Sequence, residues 1–150
     1  MLFSSDMKEL LRLFENHSVR YVLVGGHAVN FYGYVRTTQD MDLLVSPEPG
    51  NADRVMNALR EFGFGGAGIP RELFERDQGA VHLGVEPNRI DILTSLKGMP
   101  TSEILQGSSD VEIDGVGVRI ISLDDLVRVK RSSDRPRDQA DAEELSRINS

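Results

Sequence analysis

The sequence predicts one domain of mixed helix and strand, α/β (α+β) in class, and three observations carry that reading. Short apolar runs of strand length recur at residues 21–24, 43–45, 80–85 and 89–94. Between them lie helical stripes, Met7, Leu10, Leu11 and Phe14 in one and Val55, Ala58, Leu59 and Phe62 in another. Finally, 150 residues with 39% hydrophobic content can bury one sizeable core but leave no room for two full domains. The expected unit is residues 1–150, with C-terminal helices from about residue 122.

Ser4 or Ser5 is placed to cap a first helix over residues 6–16, whose stripe is packing surface. His17 follows as a C-terminal cap or an exposed residue, and Val19 leads into the strand at 21–24. That strand stops at Gly25-Gly26, and residues 27–32 form about two helical turns that end near Gly33. His27 lies one residue into this helix, where it either touches a ligand or is a neutral histidine satisfied by a local hydrogen bond. Residues 36–42 then lead into the second strand, and the turn cluster at 46–50 opens a helix over 51–61.

The glycine-rich segment at 63–68 contains Gly63-x-Gly65, but it follows a helix where a dinucleotide loop follows a strand, so it reads as a connector. A short helix is expected over 71–77, with Arg71 and Arg76 in reach of a substrate. Strands at 80–85 and 89–94 flank a turn at 86–88, and 101–109 is a short helix or loop. Residues 111–113 and 116–121 alternate around Asp114-Gly115, a hairpin signal. Ser122-Leu123-Asp124-Asp125 resembles a capping box with Asp in place of Glu. The helix it opens turns Leu123, Leu126 and Val127 inward, and the same stripe reaches Lys130, which either snorkels outward or meets an anion. In the last helix, Asp138 and Asp141 read as a solvated first turn that suits the helix dipole.

Composition removes several classes. Without cysteine there is no disulfide, thiolate metal site or thiol nucleophile. The amino terminus mixes acidic and basic residues amphipathically, unlike a signal peptide, and no run approaches a membrane span, so a cytoplasmic location is expected. A net charge of −7 argues against a long footprint on nucleic acid. Arg128, Lys130, Arg131, Arg135 and Arg137 nevertheless gather close together near the C-terminus.

The chemistry concentrates between Gly25 and Asp91. Side chains alternate along a strand, so Asp40 and Asp42 face one way and Met41 and Leu43 the other. Paired carboxylates repel unless a cation lies between them or one is protonated, and hard oxygens suit Mg²⁺ or Mn²⁺. Arg36 and Thr38 occupy the alternate positions before them and are candidates for contacting phosphate or orienting a carboxylate. Gly25-Gly26 permits a tight turn and close approach to a ligand at a helix start, which favours phosphate. Asp91 stands in an apolar run and needs a partner, either a metal shared with Asp40 and Asp42 or Arg89 at the strand edge.

Gly25-Gly26, then Arg36-x-Thr38-x-Asp40-x-Asp42, then Asp91 resembles the DNA polymerase β-type nucleotidyltransferase superfamily. Within it the chain is most similar to the small bacterial AbiEii-like and minimal nucleotidyltransferases of toxin–antitoxin systems, which Lys130 and Arg137-Asp138-x-x-Asp141 also resemble. The resemblance implies a mixed sheet flanked by helices and an NTP bound with two Mg²⁺ or Mn²⁺ ions. Asp40 and Asp42 would ligate both metals, and Asp91 would ligate the catalytic one and help deprotonate the attacking hydroxyl. Gly25 and Gly26 would cradle phosphates and Lys130 would offset their charge.

Two departures bear on function. Many superfamily members carry serine in place of Gly26, and many have a helical second domain for the acceptor, of which little is left after Ser122. A partner protein or a homodimer is therefore expected to assist. The implied activity is nucleotidyl transfer to a tRNA end or a partner protein. The alternatives are transfer to a small hydroxylated antibiotic and a non-catalytic nucleotide- or partner-binding module.

Overall fold

The first helix, α1 (Ser5–Asn16), begins where Ser4 Oγ accepts a hydrogen bond from the Met7 N–H at 3.2 Å. The computed structural model describes residues 3–35, 37, 40–63, 68–85 and 88–150. Met7, Leu10, Leu11 and Phe14 are buried as their spacing predicts, and His17 is the C-cap residue, paired with Glu61 at 3.3 Å. β1 (Tyr21–Val24) follows and is buried throughout. α2 (Gly25–Phe31) starts at the first glycine, two residues earlier than expected, and β2 (Met41–Val45) starts after Asp40, which stands in a bend ahead of the strand.

α3 (Pro49–Phe62) packs against α1, and a 3-10 turn (Arg71–Phe74) replaces the longer helix expected there. β3 (Ala80–Leu83), β4 (Ile90–Leu93), α4 (Thr101–Gly107), β5 (Ser109–Ile113) and β6 (Val116–Ile120) follow. α5 (Leu123–Arg131) is capped by Ser122 Oγ, which accepts from the Asp125 N–H at 3.2 Å, and α6 (Pro136–Ile148) packs on it. Leu126 is buried in α5, with Leu123 and Val127 half-buried. Arg36, Thr38, residues 64–67 of the glycine-rich segment and residues 86–87 of the turn before β4 lie outside the described residues.

The strands form one mixed sheet in the order β3-β4-β2-β1-β6-β5, as predicted for the fold class. β1 runs antiparallel to β2 and parallel to β6, and β2 runs parallel to β4. β5 and β6 close through Asp114 and Gly115 at φ 53° and 79°. Two successive positive φ values match the twist of a tight hairpin, which is why Asp-Gly marks it. β5 extends two residues earlier than its alternation suggests, because Ser109 and Asp110 pair with Ile120 and Arg119.

One buried polar side chain locks the entry to β1 against the exit of β2. Asn51 is fully buried; its Oδ1 accepts from the Arg20 N–H at 2.7 Å, and its Nδ2 donates to the Arg20 and Ser46 carbonyls at 3.1 and 2.9 Å. Truncation leaves those backbone groups unpaired. Asn51→Ala is expected to lower stability by about 3 kcal/mol, read as a shifted urea midpoint at unchanged m-value.

Candidate active site

Register brings the site together. Val24 lies opposite Asp42, Asp42 opposite Asp91, and Asp91 opposite His82, so β1, β2, β4 and β3 contribute one continuous row. Neighbouring strands are about 4.8 Å apart, and the register sets Asp42 and Asp91 directly beside each other. Burial and the adjacent Asp91 charge push the Asp42 pKa up to about 7, with Asp40 adding a smaller contribution. The structure brings the three carboxylates anticipated from the sequence to one cleft, and the acid that bears most on Asp42 is Asp91 rather than Asp40. Met41 and Leu43 are buried on the opposite face, as the alternation requires.

Asp91 is nearly buried and held by two partners. Arg89 donates from Nε to Oδ1 at 2.8 Å and from Nη2 to Oδ2 at 3.1 Å, and His82 Nδ1 lies 2.6 Å from Oδ1. Burial disfavours the charged carboxylate, but these hydrogen bonds and the Arg89 charge outweigh it and hold the Asp91 pKa below the usual range. Asp40 Oδ1 accepts from the Arg89 backbone N–H at 3.1 Å, and its Oδ2 lies 3.7 Å from Arg89 Nη2.

Gly25 is explained by this crowding. Its φ is +71°, and a Cβ placed there would lie 2.2 Å from Asp42 Oδ2. The sequence reading gave this bareness to an approaching ligand, whereas in the structure it admits the Asp42 carboxylate.

Asp40, Asp42 and Asp91 line a cleft of about 920 Å³ together with Gly25, Gly26, Thr37 and Arg89. Lys97, Lys130, Arg135 and Arg137 bring positive charge to it, and Leu93, Leu96, Ile121, Leu126 and Val129 give it an apolar lining. Among the described residues, no three His, Cys, Asp or Glu side chains stand ready as a metal cage. The chemistry of the donors still fits a hard divalent cation, since the three carboxylates line one cleft and the Asp91 charge disfavours ionisation of Asp42 beside it.

Lys130 corrects a second expectation. It is buried and meets anions, but those anions are the protein's own: its Nζ lies 2.9 Å from Asp138 Oδ1 and 3.0 Å from Asp141 Oδ2. Asp138 and Asp141, expected as a solvated first turn of α6, are 5% and 1% exposed. Burial would raise the Asp138 pKa, yet hydrogen bonds from Ser133 and Lys130 and the charges of Lys130 and Arg135 draw it down to about 2. Lys130 also lies close enough to lower the Asp42 pKa, so one lysine ties the α5–α6 junction to the cleft. Lys130→Met removes the buried cation between Asp138 and Asp141, leaving Arg135 on Asp138, and is expected to cost about 3 kcal/mol, measured by urea unfolding.

Other side chains also depart from expectation. His27 is buried against Phe3 at a ring separation of 5.0 Å, and neither ring nitrogen has a partner among the described residues, so the local hydrogen bond anticipated for it is absent there. Burial lowers its pKa to about 4. Arg71 pairs with Asp53 and Glu75. His82 and Lys97 went unremarked in the sequence. His82 becomes legible only once the runs at 80–83 and 90–93 are paired in register around their turn.

The chain matches, over residues 3–150, the family described as nucleotidyl transferase of unknown function (DUF2204), and it belongs to that family. No curated protein matches it. Solved structures with a similar fold include lincosamide antibiotic adenylyltransferase LnuA bound to lincomycin, at 15% identity and TM-score 0.56, covering 97% of this chain and 98% of that one. An antigenic nucleotidyltransferase-like protein from Paracoccidioides brasiliensis aligns at 15% identity and TM-score 0.56, over 97% of this chain and 77% of that one. ANT(2″)-Ia in complex with adenylyl-2″-tobramycin aligns at 15% identity and TM-score 0.52, over 94% and 85%. At these identities the likeness shows the fold. The family and fold together support the nucleotidyltransferase superfamily read from the motifs. Among the described residues, no helix is long and apolar enough to cross a membrane.

Proposed function

We propose that this chain transfers a nucleoside monophosphate from an NTP to a hydroxyl acceptor in a metal-dependent reaction. The observation that carries the reading is the Asp42–Asp91 pair set side by side on β2 and β4 with Asp40 in the same cleft, which also presents Lys97, Arg135 and Arg137. Carboxylates and cations in one cleft suit a nucleotide delivered with its metal.

Asp40, Asp42 and Asp91 would hold two Mg²⁺ or Mn²⁺ ions, which when bound would stabilise the attacking and leaving oxygens. Gly25 and Gly26 present only backbone to the phosphates, and Arg135 and Arg137 offset their charge at the cleft rim. Arg36 and Thr38 remain candidates for phosphate contact. Lys130 acts at one remove, fixing α6 against α5 and adding positive potential near Asp42. The acceptor hydroxyl gives its proton to Asp91 as its oxygen bonds to the α-phosphorus; the bond to the β-phosphate oxygen breaks and pyrophosphate leaves.

The acceptor is proposed to be a macromolecule, a tRNA end or a partner protein of toxin–antitoxin type. The basic residues of α5 and α6 and the Lys130–Asp138–Asp141 cluster, which matches the motif of that group, support this. A second reading, a small hydroxylated antibiotic, is supported by LnuA and ANT(2″)-Ia, whose names pair this fold with antibiotics. The two separate on supplying NTPs labelled at the α-phosphate with RNA, with cell protein, and with aminoglycosides and lincosamides. Label in RNA or protein supports the first reading and label on a drug the second. Label in none of them, with nucleotide bound in a metal-dependent manner, points to a binding module or a missing partner chain.

A further inference from the structure

We propose that Arg89 is the resting counter-ion of the carboxylate cluster and holds the place that a divalent cation takes on loading. The inference rests on the metal-dependent reading above and adds to it a residue that the cation must displace.

The geometry supports it in three ways. The Arg89 guanidinium reaches two of the three carboxylates, both oxygens of Asp91 at 2.8 and 3.1 Å and Asp40 Oδ2 at 3.7 Å. A planar fork matched to a carboxylate in this way takes up the acceptor sites a metal would use. Both Asp91 oxygens are thereby occupied by Arg89, and no three-ligand cage stands ready among the described residues. The Arg89 side chain is also 32% exposed and lines the cleft, so it can leave without disturbing the core.

Third, its backbone is held by bonds that do not involve the guanidinium. The Arg89 carbonyl accepts from the Met41 N–H at 2.9 Å, and its own N–H donates to Asp40 Oδ1 at 3.1 Å. Withdrawal of the guanidinium therefore leaves β4 in register beside β2. Lys130, the other cation near Asp42, is buried between Asp138 and Asp141. A monovalent guanidinium among three carboxylates leaves charge uncompensated, and a divalent cation offsets more of it.

The test is Mn²⁺ binding to metal-stripped protein, followed by the loss of the free-ion paramagnetic resonance signal, with urea midpoints taken with and without Mn²⁺. Arg89→Gln is expected to bind Mn²⁺ about tenfold tighter than the wild type because nothing has to be displaced. Its metal-free midpoint falls, while its Mn²⁺-loaded midpoint stays near the wild-type value. Arg89→Lys, which keeps the charge but loses the fork, is expected to bind about threefold tighter and carries the comparison if Arg89→Gln fails to fold without metal. Equal or weaker Mn²⁺ binding in the Arg89 variants, with binding still abolished by Asp42→Asn, overturns the role of Arg89 and leaves the metal reading standing. Absence of Mn²⁺ binding in the wild type and in the Arg89 variants alike overturns both.

Discussion

Asp42→Asn is expected to reduce nucleotidyl transfer by about 1000-fold while making the metal-free protein more stable at neutral pH and above. The two effects share one cause. Asp42 is squeezed between burial and the Asp91 charge, which lift its pKa to about 7, whereas in the unfolded chain it titrates in the ordinary carboxylate range. At pH values below that range the group is neutral in both states and contributes no difference. As pH rises from there to about 7, the unfolded chain gives up its proton first, so stability falls across this window and levels off above it. Asparagine keeps the neutral form's shape and never ionises. The stability difference between variant and wild type should therefore be near zero at about pH 3 and reach about 4 kcal/mol by about pH 8 in the presence of a chelator. Urea unfolding at several pH values, set beside a transfer assay, reads both. A variant that lost activity together with stability would show that Asp42 is structural.

Gly25→Ala is expected to cost about 4 kcal/mol and to remove transfer activity even in the fraction that folds. The backbone there is at φ +71°, which an L side chain adopts only at a cost of about 1–2 kcal/mol. The added methyl would also lie 2.2 Å from Asp42 Oδ2, 3.0 Å from its Cγ and 3.1 Å from its Cβ. The Asp42 backbone cannot shift to make room, because it is fixed in the row formed with Val24 and Asp91. The carboxylate must turn away, and the pair it makes with Asp91 opens. Circular dichroism melts combined with Mn²⁺ binding would separate the two losses. A folded Gly25→Ala protein with wild-type Mn²⁺ affinity would contradict this account of the glycine.

What the sequence revealed about the site follows the range of the interactions. Asp40 and Asp42 stood out because alternation over three residues fixes which way they face, and Met41 and Leu43 confirm that face by their burial. Asp91 stood out as an acid in an apolar run. The Asp114-Gly115 hairpin was equally local, set by two backbone dihedrals. The missed features all depend on contacts between distant segments. Asp138 and Asp141 look like a solvated helix start when only their own helix is considered, and Lys130, brought up from α5, buries them. Gly25 looks like a ligand loop until β2 is placed beside it and the Asp42 carboxylate fills the space. His82 joins the site through the β3–β4 register, which no local pattern specifies.

The claim at the centre is that this cleft moves the α-phosphate of an NTP and releases the other two phosphates as pyrophosphate. It is tested most directly by parallel incubations with Mg²⁺ and pooled RNA, protein and antibiotic acceptors, one series carrying label in the α-phosphate and the other in the γ-phosphate. Incorporation of the α label, with the γ label recovered in pyrophosphate and both signals lost in Asp42→Asn, is the predicted result. Incorporation of the γ label into an acceptor would make the protein a phosphoryl transferase and contradict the account.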